Sequence, residues 1–411
     1  MLFRRVDMKR RELLGLCGGA LLSVPGRAAA KDSRELVSTP EKRAQYLKRM
    51  LRLLCTDIGP RPAGSKGCEE GARIIQRELE PALPVVALDT FPMTKWEPAG
   101  EPELRVGGRV LETYVAQNSP ATPDGGAHGT LRKRGDGYEV VDEQSGRAGA
   151  RINISQYGSR PASSLFTGED QIARFSVGRR DAGFLEQAAR EKLPVSAKAQ
   201  VRWIPGATTS NVVGTLPGAS KDEILMVAHA DTQYNTPGAN DNTASMIAML
   251  MVAHAMSGKL PRRTMTFLAS TGEEINFIGA KHYASVRRDK GTLGDIKVCV
   301  NLDSLTYGPN LQITTTDALL EKLILDVHHN LGIRSDPKVF HRDDPMDSAP
   351  FRAGGARTVH LNSRGQDDRT LPLYHRPEDR AETVDPALIE DSFRILVALE
   401  ERLQTVRISE P

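Results

Sequence analysis

Cysteine is scarce in this chain. Four in 411 residues exclude a disulfide-dense small scaffold. Long apolar runs are also missing: none reaches the roughly 18–20 residues of a spanning helix, which excludes a polytopic membrane protein. There is no internal repeat and no low-complexity tract, so a collagen-like chain is excluded. An excess of one charge is absent too, with 55 Lys+Arg against 52 Asp+Glu. What is present, 39% hydrophobic and 26% charged residues, describes a globular protein rather than a disordered one. At roughly 150 residues per domain, the length allows two or three domains.

The basic balance belongs to the first 30 residues. Lys9, Arg10 and Arg11 precede an apolar run from Leu13 to Val24, and Ala28-Ala29-Ala30 follows. Basic, apolar, small is the order of an export signal. The paired arginines suggest the twin-arginine route, hence a periplasmic or secreted protein with no integral membrane segment once the signal is removed. Cleavage removes six basic and two acidic residues, taking the balance from 55 against 52 to 49 against 50. No positive field then remains to argue for a nucleic-acid partner. Of the three remaining cysteines, Cys55 and Cys68 either pair or stay free, and Cys299 is left over.

The rest of the chain divides by pattern. Residues 31–89 read as helical, with Leu47, Met50, Leu51 and Leu54 near helical spacing, a break at Gly59-Pro60-Arg61-Pro62, and a second helix over about 69–79. Residues 90–205 carry short alternating runs and turn dipeptides such as Asp124-Gly125, which predict a β-rich insertion. From 206 to 411 strand and helix alternate, which predicts an α/β fold with a mostly parallel central sheet. Apolar strands are expected at 224–228, 262–270, 297–302 and 357–361, and helices at 243–256 and 387–403.

Each of the first three strands runs into a metal-ligand type. The first ends in His229-Ala230-Asp231, followed by Asp241 in Gly238-Ala239-Asn240-Asp241-Asn242. The second leads to Gly272-Glu273-Glu274 and the third ends Asn301-Leu302-Asp303, while His375 stands before the last helix. Sites in α/β sheets lie beyond the carboxyl ends of strands. His229, Asp241, Glu274 or Glu273, Asp303 and His375 converging there suit two divalent cations about 3.5–4 Å apart with a bridging carboxylate, for which Asp241 is the candidate. Imidazole and carboxylate without cysteine favour zinc, with cobalt or manganese as alternatives. A metal-bound water then needs a neighbouring carboxylate as base. Glu273 and Glu274 can divide the roles of base and ligand, and spacing leaves open which is which. Asp231, two residues after His229, is placed to orient that imidazole.

Singly these residues have plain explanations: a helix cap for Asp241, a solvated helix start for the paired glutamates, a loop position for His375. Their conjunction in this order is what points to a metal centre. Among the other histidines, His254, His282, His328 and His329 read as structural helix residues, His360 lies inside a strand and His128 in the insertion. His341 is kept as a possible substrate contact.

Together the motifs resemble the co-catalytic zinc peptidases of metallopeptidase family twenty-eight. Gly59-Pro60-Arg61, Ser210-Asn211-Val212-Val213-Gly214 and His375-Arg376-Pro377-Glu378-Asp379 add to the match, which covers roughly 45–85 and 207–403. The resemblance implies a phosphorylase/hydrolase-like three-layer sandwich. It implies that His229 and Asp303 bind one zinc, that Glu274 and His375 bind the other, that Asp241 bridges them, that Glu273 is the general base and that Asp231 orients His229. The insertion, through Phe175 to Ala182, resembles a protease-associated domain. One departure stands out: in Met346-Asp347-Ser348-Ala349-Pro350-Phe351, Ser348 replaces a histidine common in the family, so an ordinary leucine-type preference is in doubt.

The expected function is an exported di-zinc aminopeptidase acting on the N-terminal residue of a peptide substrate. A carboxypeptidase or dipeptidase taking acidic C-termini is the alternative, since Arg342, Arg352, Arg357, Arg364 and Arg369 crowd the region before His375. A metal-free binding module is a third reading, which predicts missing ligands where none is missing. The other co-catalytic zinc peptidase family separates its first histidine from the bridging aspartate more widely than the twelve positions between His229 and Asp241.

Overall fold

A computed structural model describes residues 33–365 and 371–408. The export signal expected over residues 1–30 lies outside the described residues, as does Arg369. Chain order starts with helix α1 (Pro40–Leu51), whose first turn is capped by Thr39 and opened by Pro40. Helix α2 (Lys66–Leu79) begins earlier than the apolar pattern implies, because the Ser65 hydroxyl accepts from the Cys68 N–H at 3.1 Å. Then follow β1 (Val85–Pro98), the insertion, and β2 (Val201–Leu216). The second half contains β3 (Ser220–His229), β4 (Arg263–Ser270), β5 (Ile296–Leu302), β6 (Asn310–Thr314), β7 (Lys338–Phe340) and β8 (Arg357–Arg364).

These eight strands form one sheet in the order β1-β2-β4-β3-β5-β8-β6-β7. The four central strands, β4-β3-β5-β8, are parallel to one another. Antiparallel pairing of β2 with β4 and of β6 with β8 closes the two flanks. Both faces are covered. Alternate residues of β3 point opposite ways. Ile224, Met226 and Ala228 pack towards α1, α2, α4 (Ala244–Met256), α6 (Ala318–Asn330) and α7 (Pro386–Thr405). Leu225 and Val227 pack towards α5 (Ile278–Asp289) and Phe351. That is the three-layer sandwich the motifs implied. Helix α4 is apolar on all sides and buries twelve of its thirteen residues, so it is the central helix of the larger layer.

Between β1 and β2 lies a second eight-stranded sheet over Glu103–Lys198, with helix α3 (Ala182–Arg190) against it and its own core of Leu104, Val140, Ile152, Phe175 and Leu185. Strands β1 and β2 pair antiparallel along their length, from Val85 opposite Thr215 to Pro98 opposite Val201. The insertion therefore leaves and re-enters the main sheet on adjacent strands. The register shifts between Met93 and Lys95, opposite Pro205-Gly206. Cys55, Cys68 and Cys299 are all buried free thiols, so Cys55 and Cys68 do not pair.

Candidate metal centre

The central strands carry the site at their carboxyl ends. Strand β3 ends in His229. Strand β4 is followed by the Thr271-Gly272 turn into Glu273 and Glu274, and β5 is followed by Asp303. Strand order reverses at β3, which neighbours both the later β4 and the still later β5, so a crevice opens there. Asp241 sits in the irregular segment Ala239–Thr243 leading into α4. Gly238 before it has φ +61°, and a side chain there would meet Thr232 Cγ2 and the Asp241 carbonyl at 2.4 Å.

Several buried side chains hold these loops in place. Arg61, 2% exposed, donates to the carbonyls of Leu54 (2.7 Å), Gly59 (2.8 Å), Pro237 (3.1 Å) and Ala230 (3.2 Å), and to the Thr243 hydroxyl. It ties the Gly59 loop to both ends of the His229-to-Asp241 segment. Asp379 accepts from the N–H groups of Asn240 (2.8 Å) and Asp241 (3.0 Å). Asn242 donates to the Leu302 carbonyl at 2.8 Å and accepts from the Ser304 N–H at 3.0 Å, which ties the Asp241 segment to the Asp303 turn.

Two clusters of ligand types result. His229, Glu273 and Asp303 form one, and Asp241, Glu274 and His375 the other. Asp241 faces both imidazoles: its Oδ1 is 3.3 Å from His229 Nε2 and its Oδ2 is 3.4 Å from His375 Nε2. His229 Nε2 also lies 3.8 Å from Asp303 and 3.9 Å from Glu273, and His375 Nε2 lies 3.2 Å from Glu274. The structure thus brings together all seven residues singled out in the sequence.

The donor set fits metal cations on three counts. Each imidazole donates its Nδ1–H to a main-chain carbonyl, His229 to Asp231 at 3.1 Å and His375 to Ser163 at 3.0 Å, which leaves Nε2 as the free lone pair. His229 Nε2 and Glu274 Oε1 are buried without a hydrogen-bond partner among the described residues. The charges also call for cations. Burial would pull both imidazoles down, but the carboxylates around them, Glu273 at His229 and Glu274 at His375 foremost, push both well above their usual value. Burial drives Glu273 well above the carboxylate range and Asp231 to about 7. Without added positive charge this cluster cannot all ionise.

Asp231 acts somewhat differently from the expectation. Its main-chain oxygen receives the His229 ring. Its carboxylate stands 3.7 Å from that ring and accepts from the Glu273 N–H at 3.2 Å. His341 is not in the site: it is exposed, pairs with Glu321 at 2.8 Å, and lines neither cavity at the centre. His360, set aside as a strand residue, does line one.

Sequence reading missed the contribution of the insertion. The Ser163 hydroxyl shares its one proton between Gln233 Oε1 (3.0 Å) and Asn235 Oδ1 (2.8 Å), and its N–H donates to the His375 carbonyl (3.1 Å). Gln233 Nε2 in turn donates to Glu274 at 2.8 Å. His375 has φ +53°, a strained backbone for a non-glycine residue, and these contacts hold it there. Next to it the buried Arg376 donates to the carbonyls of Pro161 (2.9 Å), Arg160 (2.8 Å), Leu371 (2.9 Å) and Pro372. Gly158 leaves room for that guanidinium, since a Cβ there would lie 2.7 Å from its Nη2. No local signal in the sequence connects Ser163 with a residue 212 positions away.

Two cavities open on the centre. One, of about 880 Å³, lies between the insertion and the main sheet and is lined by uncharged residues such as Asn153, Ser155, Tyr157 and Phe277, by Asp136 and Arg179 of the insertion, and by Glu273 and Glu274. The other, of about 290 Å³, is lined by Asp241, Glu273, Asp303 and His375 at one end and by residues of β6 and β8 at the other. Among the described residues Glu273 is the one carboxylate common to both.

Comparisons with known proteins agree with this geometry. Residues 211–399 match the model of Peptidase family M28. The chain is 22% identical over 401 residues to Aminopeptidase YwaD of Bacillus subtilis, covering 87% of this chain and 84% of that protein. A solved zinc aminopeptidase from Bacillus subtilis superposes with a TM-score of 0.71 at 20% identity, over 89% of this chain and 97% of that one. A peptidase M28 precursor from Shewanella amazonensis gives 0.75 at 16% identity, over 93% and 98%.

Proposed function

We propose that this chain, matched to Peptidase family M28 over residues 211–399, is a zinc-dependent aminopeptidase with two metal ions. The observation that carries the reading is the pair of adjacent ligand clusters at the carboxyl ends of the parallel strands, with Asp241 of one also 3.3 Å from His229 of the other. His229 and Asp303 would hold one ion, Glu274 and His375 the other, with Asp241 between them. When bound, such ions acidify a water and polarise the scissile carbonyl.

The chain's own residues do the rest. Glu273 lines both cavities and so meets substrate, and it takes the role of base, holding the proton on its carboxylate before passing it to the departing amine. Glu274 is held by Gln233 and faces His375, a position that suits a ligand. Asp231 positions both the His229 ring and the Glu273 main chain. The larger cavity, beneath the insertion, is the natural course for the peptide beyond the scissile bond. The leader residues extend the proposal to export by the twin-arginine route, tested by replacing Arg10 and Arg11 with lysine and following the protein's arrival in the periplasm.

The decisive experiment measures the zinc content of the purified protein and its release of p-nitroaniline from a panel of aminoacyl-p-nitroanilides, with and without chelator. About two zincs per chain and chelator-sensitive release are expected. Metal-free, inactive protein with its fold intact would overturn the proposal.

A further inference from the structure

We propose that the smaller cavity binds a carboxylate of the substrate, an inference that rests on the peptidase reading above. The cavity begins at the metal ligands Asp241, Asp303 and His375, so whatever occupies it sits beside the reacting bond. Its far wall comes from two antiparallel strands. On β8 alternate residues share one face, and His360, Asn362 and Arg364 all line the cavity. On β6, Gln312 stands directly opposite Asn362 in the register and lines it too. Arg342 completes the polar side. The apolar contribution is small: Pro345, Met346 and Tyr374.

The charges in this wall do not cancel. Asp344 accepts from Arg342 Nε at 3.0 Å and pairs with His360 Nδ1 at 3.1 Å, so it is engaged. Arg364 donates to the neighbouring Ser363 carbonyl at 2.8 Å and lies over the Tyr307 ring at 5.9 Å. No carboxylate pairs with it among the described residues. A guanidinium presents paired donors whose fork matches a carboxylate. Two further polar atoms in the wall are buried without a hydrogen-bond partner among the described residues: His360 Nε2 and Asn362 Oδ1. The Asn362 amide offers either its oxygen or its NH₂ on a half rotation. An aliphatic side chain would leave all of these groups unmatched. A carboxylate pairs Arg364 and takes donors from the amides around it.

The carboxylate has two possible sources: the side chain of the residue being released, or the free C-terminus of a short peptide. The test uses the zinc-loaded full chain. Values of kcat/KM are measured for glutamyl-, aspartyl- and leucyl-p-nitroanilide, and for leucyl dipeptides with free or amidated C-termini. If the side chain is the source, the acidic anilides exceed the leucyl one at least tenfold. If the C-terminus is the source, free dipeptides exceed amidated ones by that factor. In either case Arg364→Met collapses the ratio, and Arg364→Lys, which keeps the charge, retains part of it. A leucyl preference with no free-over-amide advantage, unchanged in Arg364→Met, overturns the proposal. Should no peptide be hydrolysed, the peptidase reading fails and the cavity is judged separately by calorimetry with free glutamate and leucine. Glutamate binding that Arg364→Met removes supports the carboxylate pocket, and no glutamate binding by the parent refutes it.

Discussion

Replacing Arg376 by methionine tests whether the insertion is part of the catalytic machinery. Arg376 is 3% exposed, pairs with no carboxylate among the described residues, and burial pulls its pKa down. It persists because it satisfies four main-chain carbonyls, two on the insertion (Arg160, Pro161) and two on the loop before His375 (Leu371, Pro372). Hydrogen bonds from a charged donor contribute about 1.5–3 kcal/mol each, so four give roughly 6–12 kcal/mol gross. Methionine keeps much of the stem volume but returns the charge to no one. The buried charge was itself costly by several kcal/mol, and its removal offsets part of the loss. A net destabilisation of about 3–5 kcal/mol is expected.

The more informative effect is local. With the strap over residues 160–163 loosened, the Ser163 carbonyl no longer fixes the His375 ring. Zinc affinity should then fall by about 10–100-fold, as when the outer partner of a ligating histidine is lost. Denaturant unfolding gives the first quantity and competition with a chromophoric chelator the second. A stability loss with unchanged zinc affinity would refute the positioning argument. A change in neither would show that the four hydrogen bonds carry no net weight.

Other outcomes follow from the same geometry. Glu273→Gln should keep both metals and lose about 10²–10⁴ in kcat, and a fully active variant would remove Glu273 from the role of base. Asp241→Asn should lower zinc occupancy itself, read by elemental analysis after dialysis, because one oxygen of the shared carboxylate becomes an amide nitrogen. His254 bonds Ser33 (2.7 Å) and Tyr46 (3.1 Å), and burial holds its pKa down at about 4. Its folded value lies below the unfolded one of about 6.5, so the native state binds fewer protons between these pH values. Stability present above pH 6.5 should fall by up to about 3 kcal/mol as pH drops towards 4. The metal-free parent should show that slope against metal-free His254→Gln, and parallel pH profiles would refute it.

Much of the fold was readable because the second half alternates apolar strands with helices, and because α4 is apolar all round. The proposed metal ligands were readable for a related reason: His229, Glu274 and Asp303 sit within a few residues of a strand end, and Asp241 and His375 stand in short recognisable motifs. The residues that hold them were not. Ser163 reaches His375 across 212 positions, from a loop with no periodicity, and mostly through its main chain. Arg61 and Asp379 appeared in recognisable motifs, but what they do depends on which carbonyls and N–H groups the folded chain brings to them. His360 was passed over because a strand histidine reads as structural. Only the pairing of β8 with β6 shows that its face of the sheet lines a cavity. His341 erred the opposite way, since a charged loop offers no pattern to separate a surface ion pair from a pocket.

The twin strands β1 and β2 have a mechanical consequence. A body suspended on a single linker swings freely, but one carried on a hydrogen-bonded ribbon resists bending in the plane of the ribbon and yields mainly to twist. The weak point of this ribbon is where its ladder breaks, at Thr94 and Pro205-Gly206, with Gly206 at φ +71°. Any opening of the insertion over the larger cavity has to be taken up at that joint, as rotation about the ribbon's long axis against the anchor at Arg376. The insertion is thus carried on a torsion bar, with the Arg376 hydrogen bonds as a second attachment to the loop before His375.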